Sequence, residues 1–368
     1  MRAVGFDSTR RTLCLWAGAG LLPRAAPAAS PALEEALLAR MAQLGCPGAL
    51  VAVDRVGAPP LRLALGLADV ETKQPMAPDM HMRIASLSKL FVGTAALRLA
   101  GQGRLDLDQP IADVVPSVPG GQAITLRHLG THTSGLGEAI ADPALRRAIA
   151  QTPQRPWRSD EILPLAFAQP TKPVGSLRYA NTNTQLLGLA IAAATAQPAE
   201  SVVTTLVIDA LQLRHTGFTA DSGLPQAHPR GYRHGRSHDP VGYGSVFFDA
   251  TGYSASWAGM AGDMYSTLAD LARAIGPLAR GDLLNPAMRA EQQRWLQADA
   301  SGTRHGFHLM QRAGGLGHTG DVPGFSATAL YLSEAETSVV VLTNLSNSAD
   351  GRNPAVELEA LVLRGLQR

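Results

Sequence analysis

Residues 86–103 read Ser-Leu-Ser-Lys-Leu-Phe-Val-Gly-Thr-Ala-Ala-Leu-Arg-Leu-Ala-Gly-Gln-Gly. From Leu87 to Ala100 the stretch is largely apolar and it stops at Gly101-Gln102-Gly103, which predicts a buried helix with a clean end. Lys89 stands at its start, three residues after Ser86. On a helix those two side chains share a face one turn apart. Ser86 falls at the helix N-terminus, where free N–H groups and the positive dipole end favour a developing oxyanion. Burial lowers a lysine's pKa toward values at which the amine is a base, and a serine beside such a base becomes a nucleophile without any histidine. Taken alone, the pair reads more readily as an N-cap serine and a lysine reaching to solvent, because S-x-x-K arises often by accident.

Working outward, Leu33 to Leu44 has helical apolar spacing and ends at Gly45. Ala49 to Val53 and Leu61 to Leu65 are strand-like and separated by a segment with Gly57, Pro59 and Pro60, as in an early hairpin. The middle of the chain holds Pro-rich turns at Pro110, Pro116 and Pro119 and helix-like pieces at Thr184 to Thr195, Ala199 to Leu211 and Thr267 to Ile275. Toward the end, Ser326 to Leu332 and Ser338 to Thr343 are β-rich, followed by a helix from Ala355 to Leu366. Strands thus flank a helical middle. The simplest architecture is an α/β (α+β) fold: an antiparallel sheet from both chain ends, flanked by helices, plus an inserted mainly helical domain. The expected division is a sheet domain over 29–105 and 300–368 and a helical insert over 106–299.

Two further polar clusters stand out. Tyr179-Ala180-Asn181 precedes a helix start; a tyrosine near a lysine relays protons, and an Asn amide offers a donor and an acceptor. Gly317-His318-Thr319-Gly320 precedes the run of Ser326 to Leu332, where glycine permits close backbone approach and Thr319 can hydrogen-bond a carboxylate. Each has an ordinary reading as well, a buried tyrosine with a turn Asn and a turn between strands.

Together, Ser86-x-x-Lys89, Tyr179-x-Asn181 and His318-Thr319-Gly320 resemble, in order and context, the S-x-x-K, Y-x-N and K/H-T-G motifs of the penicillin-recognising serine hydrolases. That family includes class C β-lactamases, serine D-alanyl-D-alanine carboxypeptidases and related esterases. Ile124 to Leu136, Gly259 to Leu271 and Val339 to Asn344 also look like family sequence, so the resemblance covers nearly all of the chain after residue 28. It implies the β-lactamase/transpeptidase-like fold and an acyl-enzyme mechanism. Ser86 attacks a carbonyl while Lys89 and Tyr179 manage its proton, and water then releases the acyl group. It also implies an oxyanion hole from the backbone N–H groups of Ser86 and Asp321. Asn181 would orient the substrate amide, and His318, Thr319 and Gly320 would bind the substrate's carboxylate side. No cofactor and no metal are implied.

The substrate so implied is a small molecule or peptide, such as a peptidoglycan stem peptide, a β-lactam or an ester. His318 stands where class C β-lactamases carry Lys, which weakens a carboxylate anchor at neutral pH. Asp321 adds a carboxylate beside the oxyanion donor. The leading expectation is a D-alanyl-D-alanine carboxypeptidase-like hydrolase. The alternatives are a promiscuous carboxylesterase and a β-lactam-binding sensor with negligible turnover.

Composition sets the remaining bounds. In 368 residues, 45% are hydrophobic and 17% charged, with 32 basic and 30 acidic side chains. Such a chain buries a sizeable core and is neither collagen-like nor disordered. Its lysines are Lys73, Lys89 and Lys172, and no basic block interleaves with aromatics, so a nucleic-acid partner has no support. Arg10-Arg11, the apolar Leu13 to Leu22 and Ala26-Pro27-Ala28 predict a signal peptide over 1–28 with features of the twin-arginine route, and hence a periplasmic or secreted protein. That apolar core is too short for a stable membrane anchor. Beyond it Cys46 stands alone and reads as a buried structural thiol. His228, His234, His238 and Asp239 fit no standard zinc spacing and read as solvated loop. No G-x-S-x-G elbow and no P-loop occurs.

Overall fold

A computed structural model describes residues 31–219, 223–235 and 244–367, so the expected signal peptide lies outside the described residues. In chain order the strands are β1 (Gly48–Arg55), β2 (Leu61–Asp69), β3 (Gln74–Pro75), β4 (Met82–Arg83), β5 (Gly217–Phe218), β6 (Tyr232–Gly235) and β7 (Val246–Asp249). They continue with β8 (Met264–Ser266), β9 (Arg304–His305), β10 (Met310–Arg312), β11 (Gly315–Val322), β12 (Phe325–Leu332) and β13 (Thr337–Thr343). The helices are α1 (Pro31–Leu44), α2 (Ser88–Gly101), α3 (Leu126–Gly130), α4 (Pro143–Gln151) and α5 (Ser159–Phe167). After them come α6 (Asn181–Thr195), α7 (Ala199–Val203), α8 (Leu268–Arg280), α9 (Pro286–Gln292) and α10 (Pro354–Leu366).

The main sheet has eight strands in the order β3-β2-β1-β13-β12-β11-β10-β9 and is antiparallel throughout. β1 lies beside β13, with Val51 opposite Val341, and this pairing joins the two ends of the chain. Alternate residues of a strand face opposite sides of the sheet. Leu50 and Ala52 enter one apolar core together with Val340, Leu342 and Ala327. Ala49, Val51 and Val53 enter another, with Leu37 and Met41 of α1 and Leu358 and Val362 of α10. A strand buried on both faces needs apolar residues at every position, which is why Ala49 to Val53 reads as a continuous run.

Helix α8 covers the opposite face of β1, β12 and β13. It starts at Thr267, whose hydroxyl accepts from the Asp270 N–H, and ends at Gly281 in the left-handed conformation. Lying within the 106–299 span, α8 nonetheless serves the sheet, so that span contributes to the sheet layer as well as to the helical unit. The core on this side is continuous with the one around α2 and α6.

Three local features depart from the sequence expectations. The helix expected over Ala199 to Leu211 is α7 followed by a wider π-helical turn, Thr204–Ile208. The middle of the chain also carries short strands, with β4, β8 and β5 forming a separate sheet. Two- and three-residue strands are too short to leave a periodic pattern. Finally, Gly317-His318-Thr319-Gly320 is a strand, the interior of β11, and not a turn before one.

Candidate active site

Ser86 sits in a single 3-10 turn, Ala85–Leu87, that leads into α2. Ala85 adopts a left-handed backbone, φ +50°, a strained choice for a residue with a Cβ. The Ser88 hydroxyl donates to the Ala85 carbonyl at 2.6 Å and ties this turn to the helix start. The N–H of Ser86 belongs to a first turn, where such groups have no intrahelical carbonyl to bond.

Lys89 is fully buried. Its Nζ lies 3.0 Å from Ser86 Oγ, 2.7 Å from Asn181 Oδ1 and 2.8 Å from the Ala261 carbonyl. Burial brings its pKa down to about 7, with the charges of Glu138 and Asp321 opposing part of that fall. The amine therefore exchanges its proton near neutral pH while in contact with the serine oxygen.

Tyr179 precedes α6 and shares a hydrogen bond with the Ser86 side chain. The Lys89 Nζ is 4.9 Å from its ring centroid. Although 38% of Tyr179 is reachable by solvent, the opening is the inside of a cleft walled by protein, and burial pushes the phenol pKa up. Its ring leans on His132 with centroids 4.4 Å apart. His132 and His308 are both buried, with their pKa values pushed well down by that burial.

Strand β11 brings the third cluster to the same place, since it packs against the Ala85–Leu87 turn. Ser86, Tyr179, His318, Thr319, Gly320 and Asp321 line one cavity of about 540 Å³. Lys172 and Arg178 belong to its wall, as do Asp299 and His305, whose Oδ2 and Nε2 are 3.1 Å apart. His318 is only 2% exposed and its Nδ1 lies 2.5 Å from the Thr319 carbonyl. Burial, and then the nearby Lys89, lower its pKa to about 3. The ring is thus neutral across the physiological range. Lys89 is buried against Ser86, and the half-buried Asn181 sits beside it. The Asn181 side chain is engaged by Lys89 and by Glu138, contacts additional to the amide-orienting role expected of it.

Glu138, His308 and the charged wall residues carry no motif and were not expected at the site; His132 lies within the family-like Ile124 to Leu136 but no role was expected of it. The signal available for Glu138 was its position two residues beyond the family-like Ile124 to Leu136. Among the described residues no group of three or more His, Cys, Asp or Glu is arranged to hold a metal ion. His228 Nδ1 contacts the Pro229 carbonyl at 3.0 Å; His238 and Asp239 lie outside the described residues. Cys46 is buried, with its thiol pushed up to about 12 chiefly by burial, so it carries no thiolate.

The chain as a whole is matched by comparison with known proteins. The family model described as Beta-lactamase matches residues 33–364. The chain belongs to this β-lactamase-fold family of serine hydrolases. Esterase EstB of Burkholderia gladioli is 31% identical over 294 residues, spanning 70% of this chain and 72% of the esterase. The crystal structure of D-amino acid amidase from Ochrobactrum anthropi SV3, in complex with L-phenylalanine, superposes with a TM-score of 0.80 at 25% identity, covering 91% of this chain and 97% of the amidase. A D-stereospecific amidohydrolase from Streptomyces gives 0.77 at 27% identity, covering 89% and 97%.

Proposed function

We propose that this protein hydrolyses esters and D-configured amides that have an uncharged leaving group, through an acyl-enzyme on Ser86. One observation carries the choice of substrate: His318 is buried and neutral where a carboxylate anchor was expected, and its neighbour in the cavity lining, Asp321, supplies a carboxyl group and no cation. A leaving group bearing a free carboxylate meets no cation there. The similarity to an esterase and to D-amino acid amidohydrolases supports the same class.

In the mechanism we infer, neutral Lys89 takes the Ser86 hydroxyl proton as Oγ attacks the carbonyl carbon. With its phenol pKa raised, Tyr179 stays protonated and hands a proton to the departing oxygen or nitrogen, then recovers one through Lys89. The backbone N–H groups of Ser86 and Asp321 receive the oxyanion. Water adds to the acyl-enzyme and the same groups return Ser86 to its hydroxyl form. His318 and Thr319 contact the substrate as neutral hydrogen-bonding groups.

The D-alanyl-D-alanine carboxypeptidase reading keeps one observation in its favour: Lys172 and Arg178 on the cavity wall are able to receive a carboxylate. Measuring kcat/KM on a p-nitrophenyl ester, on D-phenylalanine amide and on an N-acyl D-Ala-D-Ala peptide, with Ser86→Ala as control, separates the two. The ester and the amide are expected to exceed the peptide by about tenfold or more, the worth of one charge contact of roughly 1.4 kcal/mol. Preference for the peptide, lost in Lys172→Ala or Arg178→Ala, would install the carboxypeptidase reading instead. The arginine pair and apolar run within residues 1–28 support export of this hydrolase, a reading tested by the N-terminus of protein recovered outside the cytoplasm.

A further inference from the structure

Two carboxylates act on the Lys89 amine, Glu138 and Asp321. Asp321 lines the cavity, where desolvation pushes its pKa up. Glu138 is half-buried at the N-terminal end of the Ala139–Ala141 turn, where desolvation pushes its pKa up and the backbone N–H groups of Asn181 and Ile140 oppose that rise. Its Oε1 accepts from the Ile140 N–H at 3.4 Å and its Oε2 accepts from the Asn181 N–H. A further side-chain hydrogen bond links Glu138 to Asn181. Asn181 opens α6, so the carboxylate also meets the positive end of a 15-residue helix. The same Asn181 accepts from Lys89 Nζ through Oδ1 at 2.7 Å. A continuous path therefore runs from Glu138 through Asn181 and Lys89 to Ser86.

We propose that Glu138 is a positioning residue for acylation: through Asn181 it holds the Lys89 amine against Ser86, and its negative charge sets the pH above which that amine serves as the base. This rests on Ser86 and Lys89 being nucleophile and base. The other titratable groups around the lysine are His132, His308, His318 and Tyr179. Burial keeps the three imidazoles unprotonated and the phenol protonated, so they add no charge at neutral pH. The two carboxylates are left to set the field, burial pushing the pKa of each upward, and Glu138 is the one joined to Lys89 by hydrogen bonds through Asn181.

The experiment is the pH dependence of kcat/KM on p-nitrophenyl acetate for wild type, Glu138→Gln, Glu138→Asp, Asp321→Asn and Ser86→Ala. Removing the Glu138 charge makes the lysine easier to deprotonate, so the acidic limb should move to lower pH by roughly half to one unit. Asp321→Asn should move it less. Glu138→Asp keeps the charge and should bring the limb back toward wild type while kcat stays reduced. An unmoved limb in folded Glu138→Gln, or one matched by Asp321→Asn, overturns the proposal. Should Glu138→Gln not fold, Glu138→Asp decides: it keeps the charge but shortens the reach to Asn181, so a wild-type kcat in this variant overturns the proposal. Activity retained in Ser86→Ala would instead sink the nucleophile assignment, whereas an inactive Ser86→Ala with an unmoved limb sinks the Glu138 role alone.

Discussion

A methyl group on the α-carbon of Gly320 would lie 2.6 Å from the backbone nitrogen of Ser86 and 3.0 Å from the carbonyl of Ile84. Strand β11 and the nucleophile turn are therefore in contact backbone to backbone, and only glycine allows it at this position. Both donors assigned to the oxyanion hole flank this contact.

Gly320→Ala is accordingly expected to push β11 away from Ser86 and to misplace one donor. Loss of one such donor costs about 10²- to 10³-fold in kcat, so a drop of that size is expected with the far-UV circular dichroism unchanged. Activity within about threefold of wild type would show that the two segments separate without cost to the chemistry.

The Lys89 pKa makes a second prediction, with a definite sign. Its ordinary value is 10.5 and burial takes it to about 7. Between those values the unfolded chain binds more protons at this position than the folded one, so stability rises with pH through the window. Below about 7 the folded protein carries a buried ammonium and the destabilisation is complete; above 10.5 the group contributes nothing. The melting temperature of wild type relative to Lys89→Met should therefore increase from about pH 7 to 10, and kcat/KM should rise through about pH 7. A difference in melting temperature that is flat across that range would contradict a desolvated lysine.

Penicillin provides a third test, because its carboxylate meets neutral His318 and the carboxyl of Asp321 where a cation would be needed. Intact-protein mass spectrometry should show one penicilloyl adduct on wild type and none on Ser86→Ala, forming more slowly than the acyl-enzyme of an activated ester. Fast formation of a long-lived adduct would favour a β-lactam sensor. Absence of any adduct would confine the site to esters and simple amides.

Much of the sheet was legible because its physics is local. Ala49 to Val53 and Ser338 to Thr343 read as strands and are strands, since a strand covered on both faces must be apolar throughout. The start of α2, with Lys89 one turn from Ser86, was legible for the same reason: three residues of helix fix the geometry by themselves. The strand character of His318-Thr319-Gly320 was hidden by glycines that elsewhere signal turns; here Gly317 and Gly320 make room for the backbones of Ala329 and Ser86. Glu138 was hidden because a lone carboxylate in a loop has no pattern to betray it.

The sequence by itself determined the inventory and its order: a serine and a lysine one turn apart, a tyrosine before a helix, a histidine and glycines near the last strands, and a sheet shared by both chain ends. Tertiary structure alone decided the charges. Whether His318 is a cation, whether Lys89 is a base and whether Glu138 matters all depend on how much water each group loses and on which charges packing places nearby. Desolvation and Coulomb energies are functions of distance through space, and no spacing along the chain encodes them.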